Sequence, residues 1–345
     1  MLKLDQIITG KSDPRPLHPR LAACLITAAL AAPAVASAQG AAGAPAPSWP
    51  VRPVRLVVPY APGGGLDILA RLLAPRLAER WNQTVLVDNR PGASGQLGAQ
   101  IVSAAAADGQ TLVMISTEHI TAPMVYKRKL YDPIASFTPL VQIGAQSYLL
   151  VVNAGLPVAS VKELVALARS RKPTLNYTSA GTGSVGHLSG ELFKSMAGIE
   201  MTHVPYKGTG PALADTVAGQ VQVMVVNPLP AMPHIKSGRL RLLAVTDSQR
   251  VATLPETPTI AEAGLPGFST RGWNGLLAPA GTPRPIVLRI NESVVDILRT
   301  GEVRERMSSE GTEPIGSTPD AFRALMVADQ KVWAAVVAKM KIDGE

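Results

Sequence analysis

Two glycine-rich loops carry residue types that bind small anions through the main chain. The first is Pro59-Tyr60-Ala61-Pro62-Gly63-Gly64-Gly65-Leu66-Asp67, and the second is Ser179-Ala180-Gly181-Thr182-Gly183-Ser184-Val185-Gly186-His187. Glycine lets the backbone turn sharply and aim several N–H groups at one point, and a helix after each loop adds the positive end of its dipole. The loops therefore predict two concave anion sites that face each other across a cleft.

The second loop also matches two other patterns in part. Gly181-x-Gly183-x-x-Gly186, with Glu200 further on, resembles a dinucleotide fingerprint. An export signal argues against a nicotinamide cofactor, and the Ser and Thr residues suit direct contact with an oxyanion. Ser184 and His187 are residue types of a hydrolase, but Thr182 breaks the Gly-x-Ser-x-Gly pattern, so a helix cap and an orienting group are favoured.

The remaining polar candidates each have a binding and a structural interpretation. The histidines after residue 38 lack close metal-ligand spacing, so we expect no metal site. His203 lies on a predicted strand, where packing is the favoured role. Lys207 either neutralises an anion or is a solvated loop residue, and Asp67 either caps a helix or accepts a hydrogen bond from a ligand.

The elements that position the first loop alternate between strands and helices. The predicted strands are Val54–Pro59, Val85–Asp88 and Leu112–Ser116, and the predicted helices are Leu66–Trp81 and Gln96–Ala107. Pro75 is expected to kink or split the first helix because it lacks an N–H donor. This order is typical of a doubly wound α/β unit, whose ligands lie at the carboxyl ends of the strands, where Ser116 and Thr117 also fall.

The second half repeats the unit of strand, glycine-bearing loop and helix. The predicted strands are Leu175–Thr178, Met201–Tyr206, Gln222–Val226 and Leu240–Val245, with helices at Val161–Arg171 and from the second loop to Ala197. Asn227 follows directly after one of these strands. The apolar run Val141–Asn153 is where the chain crosses into this half, and Ile286–Ile342 is expected to return to the first.

The N-terminus has the pattern of a secretory signal. A polar, basic stretch precedes an uncharged apolar core at Leu21–Ala32, and Ala36-Ser37-Ala38 fits the small-x-small cleavage rule. A membrane anchor is the weaker alternative because the core is short for a span. We expect a signal peptide at residues 1–38, cleavage after Ala38 and a flexible lead-in at residues 39–50.

Composition narrows the class of protein further. The chain of 345 residues is long enough for two domains, and its 4% aromatic content indicates aliphatic cores. The net charge of +8 comes from scattered Lys and Arg residues without aromatic interleaving, which argues against nucleic-acid binding. Cys24 is the only cysteine, so cleavage would leave no disulfide and no thiolate chemistry.

Five ordered groups of motifs resemble the signatures of the substrate-binding proteins of tripartite tricarboxylate transporters, the Bug family. They are Pro59–Arg71; Val87–Gly95; Gly181–Gly198 with His203–Gly208; Leu243–Arg250 with Leu254–Gly264; and Pro279–Pro283. The resemblance covers about residues 50–345, nearly all of the expected mature chain.

The resemblance implies an α/β, two-lobed periplasmic binding protein of the Venus-flytrap, type II-like class. Each lobe would be a doubly wound, mostly parallel sheet flanked by helices. Lobe 1 would comprise residues 51–145 and 271–345, and lobe 2 residues 146–270. The protein would be a monomer without catalysis or cofactor. It would close on a small organic carboxylate and deliver it to integral membrane transporter subunits, one large and one small.

In the family, the turn after the first strand and the turn that holds Ser179–Ser184 clamp the ligand's carboxylate, largely through backbone N–H groups and waters. Carried over to this chain, the resemblance implies these ligand-binding positions: Tyr60, Ala61, Gly63, Gly64, Asp67, Ser116, Thr182, Gly183, Ser184 and His187. Thr117, Lys207 and Asn227 complete the candidate set from their places at strand and loop ends.

Two departures from the family leave the choice of ligand open. The family commonly has Phe at Tyr60, and often Asp or another polar residue near Asn227. The alternatives to a transport receptor are an exported hydrolase acting on a small organic acid and the ligand-binding subunit of a sensor. A turnover assay separates the hydrolase from a binding protein.

Overall fold

The computed structural model describes residues 49–338. The predicted signal peptide and residues 39–48 of the lead-in lie outside the described residues. Trp49, near the end of the lead-in, packs edge-on against Trp81, with ring centroids 4.9 Å apart. Within this range no helix combines the length and hydropathy that a membrane span requires.

Residues 49–338 form two sheets, whose strands we number in chain order. The first sheet contains β1 (Val54–Val58), β2 (Val85–Asn89), β3 (Thr111–Ser116), β4 (Phe137–Ser147), β10 (Arg271–Pro279) and β11 (Glu313–Pro314). Their spatial order is β11-β4-β10-β3-β1-β2. β1 pairs in parallel with β2 and β3, whereas β10 pairs antiparallel with β3 and β4, and β11 antiparallel with β4.

Helices cover both faces of the first sheet. They are α1 (Gly65–Trp81), α2 (Gln96–Ser103), α3 (Glu118–Val125), α8 (Arg284–Arg299), α9 (Gly301–Ser309) and α10 (Pro319–Val337). Leu56 and Val58 of β1 point into the core with α1 and α8, whereas Val57 points into the core with α2 and α10. Because side chains alternate across a strand, a strand covered on both faces reads as a continuous apolar run.

The second sheet repeats this arrangement. Its strands are β5 (Leu149–Asn153), β6 (Leu175–Ser179), β7 (Met201–Pro205), β8 (Val223–Val226) and β9 (Leu240–Val245). Their order is β7-β6-β8-β5-β9, and β5 runs antiparallel to both of its neighbours. The helices associated with this sheet are α4 (Val161–Ser170), α5 (Val185–Ala197), α6 (Thr209–Val217) and α7 (Pro228–Lys236).

The chain passes between the sheets twice. β4 ends at Ser147 in the first sheet, and β5 begins at Leu149 in the second. The chain returns to the first sheet between β9 and β10. α10 then packs on both parts, since Phe322 joins a core of the first sheet and Trp333 joins a core of the second.

The α/β order predicted from the sequence is confirmed. The expected mostly parallel character of each sheet is wrong, because antiparallel pairings are at least as numerous as parallel ones in both sheets. α1 continues past Pro75 as one helix of 17 residues, so Pro75 does not split it, and α2 ends at Ser103 rather than at the predicted Ala107. Pro75 is tolerated because neighbouring packing, with Leu73 and Leu77 buried on either side, holds the helix in place.

Candidate functional site

The turn between β1 and α1 presents a helix N-terminus without a side-chain cap. Gly64 occupies the cap position, and Gly63 has a φ of +81°, which favours glycine. Asp67 accepts a hydrogen bond from the Gly63 N–H at 3.0 Å and forms an ion pair with Arg71. The first N–H groups of α1 after Gly64 have no partner within the helix, so the positive end of its dipole is open to an anion.

The turn between β6 and α5 is held by its own side chains. Ser184 caps α5 by accepting a hydrogen bond from the His187 N–H at 3.2 Å. His187 Nδ1 accepts a hydrogen bond from the Gly183 N–H at 3.0 Å. Burial lowers the pKa of His187 to about 4, so the ring is neutral at pH 7 and Nδ1 is free to accept. The cap and the orienting group that the sequence favours are therefore both present.

Loops of the two sheets touch each other across a cleft. The Ala61 N–H donates to the Lys207 carbonyl at 3.0 Å. The Thr121 hydroxyl donates to the Gly183 carbonyl at 2.7 Å. These hydrogen bonds join the first sheet to the second and hold the cleft closed in this arrangement.

A small cavity remains between the loops, with a volume of about 20 Å³. That is room for about one water molecule. Residues of both sheets line it: Tyr60, Gly64, Gly65, Leu66, Asp67, Ser116, Glu118, Tyr148, Ala180, Thr209, Asn227 and Asn274. A ligand of several heavy atoms exceeds this volume.

Five of the residues predicted from the sequence meet at this cavity. They are Tyr60, Gly64, Asp67, Ser116 and Asn227. The other predicted residues do not line it in this arrangement: Ala61, Gly63, Thr117, Thr182, Gly183, Ser184, His187 and Lys207. The Thr117 hydroxyl accepts a hydrogen bond from the Trp273 N–H at 3.0 Å, and the Lys207 side chain is exposed. A ligand-binding role for any of these thirteen predicted residues stays a prediction.

Glu118 is a cavity residue that sequence reasoning missed. It is only 5% exposed. The Ser116 hydroxyl donates to its Oε2, and the Tyr148 hydroxyl donates to its Oε1 at 3.2 Å. Burial, followed by the nearby Glu118 charge, raises the pKa of both Tyr60 and Tyr148 well above the ordinary value. The sequence signal that could have identified Glu118 is its position directly after Ser116-Thr117, at the carboxyl end of a buried strand.

The described part of the chain contains no set of side chains that could bind a metal ion. Residues 49–338 contain no group of three or more His, Cys, Asp or Glu side chains placed to hold an ion. The mixed sheets, the two crossings between them and the polar cleft instead define the class of two-lobed solute-binding proteins.

Comparison with known proteins gives the family. Residues 69–342 match the model of the tripartite tricarboxylate transporter family receptor, and the chain belongs to that family. It is a family of solute-binding receptors rather than of enzymes, and it includes the Bug proteins that the sequence motifs resemble.

Solved structures of family members are similar over most of the chain. A protein of R. palustris with adipate is 41% identical, with a TM-score of 0.81, over 84% of this chain and 97% of its own. The periplasmic binding protein BugD is 33% identical, with a TM-score of 0.83, over 86% and 100%. MatC from Rhodopseudomonas palustris with bound malate is 35% identical, with a TM-score of 0.80, over 84% and 100%. The two-lobed binding-protein fold expected from the sequence is therefore confirmed.

Proposed function

We propose that this receptor binds a small organic carboxylate between its two lobes, with residues 51–145 and 271–345 as lobe 1 and residues 146–270 as lobe 2. The observation that carries the proposal is the uncapped N-terminus of α1, which opens onto a cavity lined by both sheets. Adipate and malate in two related proteins support a carboxylate as the ligand class.

Hinge closure is the mechanism that fits this site. The cavity is too small for a ligand as it stands, and the hydrogen bond between Ala61 and Lys207 joins the two sides. A ligand that contacts both sides stabilises the closed form by its differential affinity for that form. The closed receptor then delivers the ligand to the large and small membrane subunits of a tripartite transporter, after export of the chain to the periplasm.

A thermal-shift screen of about a hundred organic acids identifies the ligand. A binder present at 100 times its dissociation constant adds ~2.7 kcal/mol to the free energy of unfolding. A hit among carboxylates supports the proposal. Failure of every carboxylate to shift the melting temperature contradicts it.

Gly64→Asp tests whether the α1 N-terminus holds the carboxylate. Gly64 has φ −84° and ψ 167°, the conformation of a helix cap, and a Cβ there meets nothing closer than 3.5 Å. The new carboxylate would cap α1 and occupy the anion site, so we expect the fold to persist and affinity to fall about tenfold or more.

Pro283→Asp is the matched control. Pro283 caps α8 without a side-chain hydrogen bond and does not line the cavity. The control should bind the ligand as the unaltered protein does. Wild-type affinity in Gly64→Asp, measured by isothermal titration calorimetry, would show that the carboxylate binds elsewhere.

A further inference from the structure

Glu118 brings a buried carboxylate with spare acceptor capacity to the cavity. Ser116 Oγ donates to Oε2, while the Tyr148 hydroxyl and the Val185 N–H donate to Oε1 at 3.2 and 3.3 Å. An ionised carboxylate has roughly four acceptor positions. Three of these acceptor positions receive hydrogen bonds in this structure, and the remaining position is on Oε2.

No positive side chain balances this charge in the described part of the chain. Asp67, the other acid of the cavity wall, pairs with Arg71 at 3.0 Å. By contrast, no Lys, Arg or His among residues 49–338 forms an ion pair with Glu118. The cavity wall itself contains no basic side chain. The partial positive charge at the N-terminus of α5 offsets this buried charge only in part, so a cationic ligand group is favoured beside Glu118.

Asn227 adds a second acceptor at the same cavity. Its Oδ1 is fully buried and accepts no hydrogen bond from the described residues. The carboxamide lies against the start of α1, since a Cβ placed on Gly65 would stand 2.6 Å from Oδ1. A buried acceptor without a donor is unfavourable, and a donor on the ligand would satisfy it.

Glu118 also faces the N-terminus of α5. Val185 is the first residue of that helix, and its N–H donates to Glu118 Oε1. The second anion site that the sequence predicts therefore already faces a carboxylate of the protein itself. That leaves the α1 N-terminus to receive one carboxylate of the ligand.

We propose that the ligand is a zwitterionic aminocarboxylate. Its carboxylate meets the N-terminus of α1, and its ammonium group faces Glu118 and the Oδ1 of Asn227. This assignment rests on the proposed function, because it places the ligand in the same cleft. A dicarboxylate would instead bring its second negative charge towards Glu118, where like charges repel.

Matched ligand pairs test the assignment on the full-length protein by isothermal titration calorimetry. The pairs are ethylmalonate and 2-aminobutanoate, succinate and β-alanine, glutarate and 4-aminobutanoate, and adipate and 5-aminopentanoate. Each pair differs only by a carboxylate or an ammonium group at one position. We expect at least one aminocarboxylate to bind about tenfold or more tightly than its dicarboxylate partner.

Glu118→Gln removes the charge at nearly constant size. We expect it to reduce this preference about tenfold or more, whereas Glu256→Gln, an exposed position outside the cavity, should leave it unchanged. Tyr148→Phe removes one donor but keeps the charge, so the preference for the ammonium partner should persist. The wild-type comparison does not depend on whether any variant folds.

Two results overturn the assignment while leaving the proposed function in place. One is that the dicarboxylates bind the wild-type protein at least as tightly as their partners. The other is that Glu118→Gln binds carboxylates with an unchanged preference. If no carboxylate of either kind binds, the assignment and the proposed function fail together.

Discussion

His187 supports the β6–α5 turn only in its neutral form, because its Nδ1 accepts the Gly183 N–H. Its ring stacks on His203 with centroids 4.0 Å apart. Burial lowers the pKa of His187 to about 4, and burial together with the charges of His187 and Lys194 lowers that of His203 to about 3. An unfolded histidine titrates near 6.5. These residues therefore contribute stability above pH 6.5 that is lost as the pH falls towards 4.

Urea unfolding at pH 7 and pH 5 measures this effect. Each such histidine should lower the free energy of unfolding by about 2 kcal/mol over that interval. His187→Asn keeps an acceptor near the Gly183 N–H but does not titrate, so the difference between the two pH values should shrink by about that amount. An unchanged difference in the variant would mean that His187 is already protonated or exposed in the folded protein.

Helix α10 packs on both parts of the fold, with Phe322 in a core of the first sheet and Trp333 in a core of the second. Phe322 is 0% exposed and packs under Gly275 of β10, whereas Val332 on the same helix is 59% exposed. Phe322→Ala should reduce the free energy of unfolding by about 3–5 kcal/mol, because it leaves a cavity in the core. Val332→Ala is the matched control and should change it by less than about 0.5 kcal/mol. Equal effects in urea unfolding would show that α10 does not dock as described.

The elements predicted well from the sequence are those whose signals are local. An apolar run predicts β1, three glycines predict the turn that follows it, and a helical repeat of apolar residues predicts α1. β10 was not predicted, because its sequence Arg-Gly-Trp-Asn-Gly reads as irregular. Gly272 and Gly275 are small because the rings of Tyr148 and Phe322 lie against them, and those partners are distant in sequence.

The same limit applied to the candidate site. Tyr60, Gly64 and Asp67 belong to one loop, and their proximity follows from that loop alone. Glu118, Tyr148 and Asn274 come from three separate parts of the chain. They meet at one cavity because β10, β3 and β1 are neighbours in the first sheet and because β5 follows β4 into the second sheet. Their meeting point depends on antiparallel pairings for which the sequence carries no local signal.

Across the whole molecule, the hinge closure proposed above depends on how near two backbones come at the cleft. Gly210, the second residue of α6, lies against the carbonyl of Pro62 in the β1–α1 loop, and a Cβ on Gly210 would overlap that main-chain oxygen. Gly210 does not adopt a positive φ, so alanine suits its place in the helix. Gly210→Ala should therefore leave each half folded but prevent the loops from meeting.

We expect Gly210→Ala to weaken ligand binding about tenfold or more, because the closed form that the ligand selects becomes strained. Small-angle scattering should show no decrease in the radius of gyration when ligand is added, in contrast to the unaltered protein. Gly301→Ala, at the first residue of α9 with nothing within 4 Å of the new methyl group, is the control and should close normally. If Gly210→Ala binds and compacts like the control, the approach of these two loops is not the movement that captures the ligand.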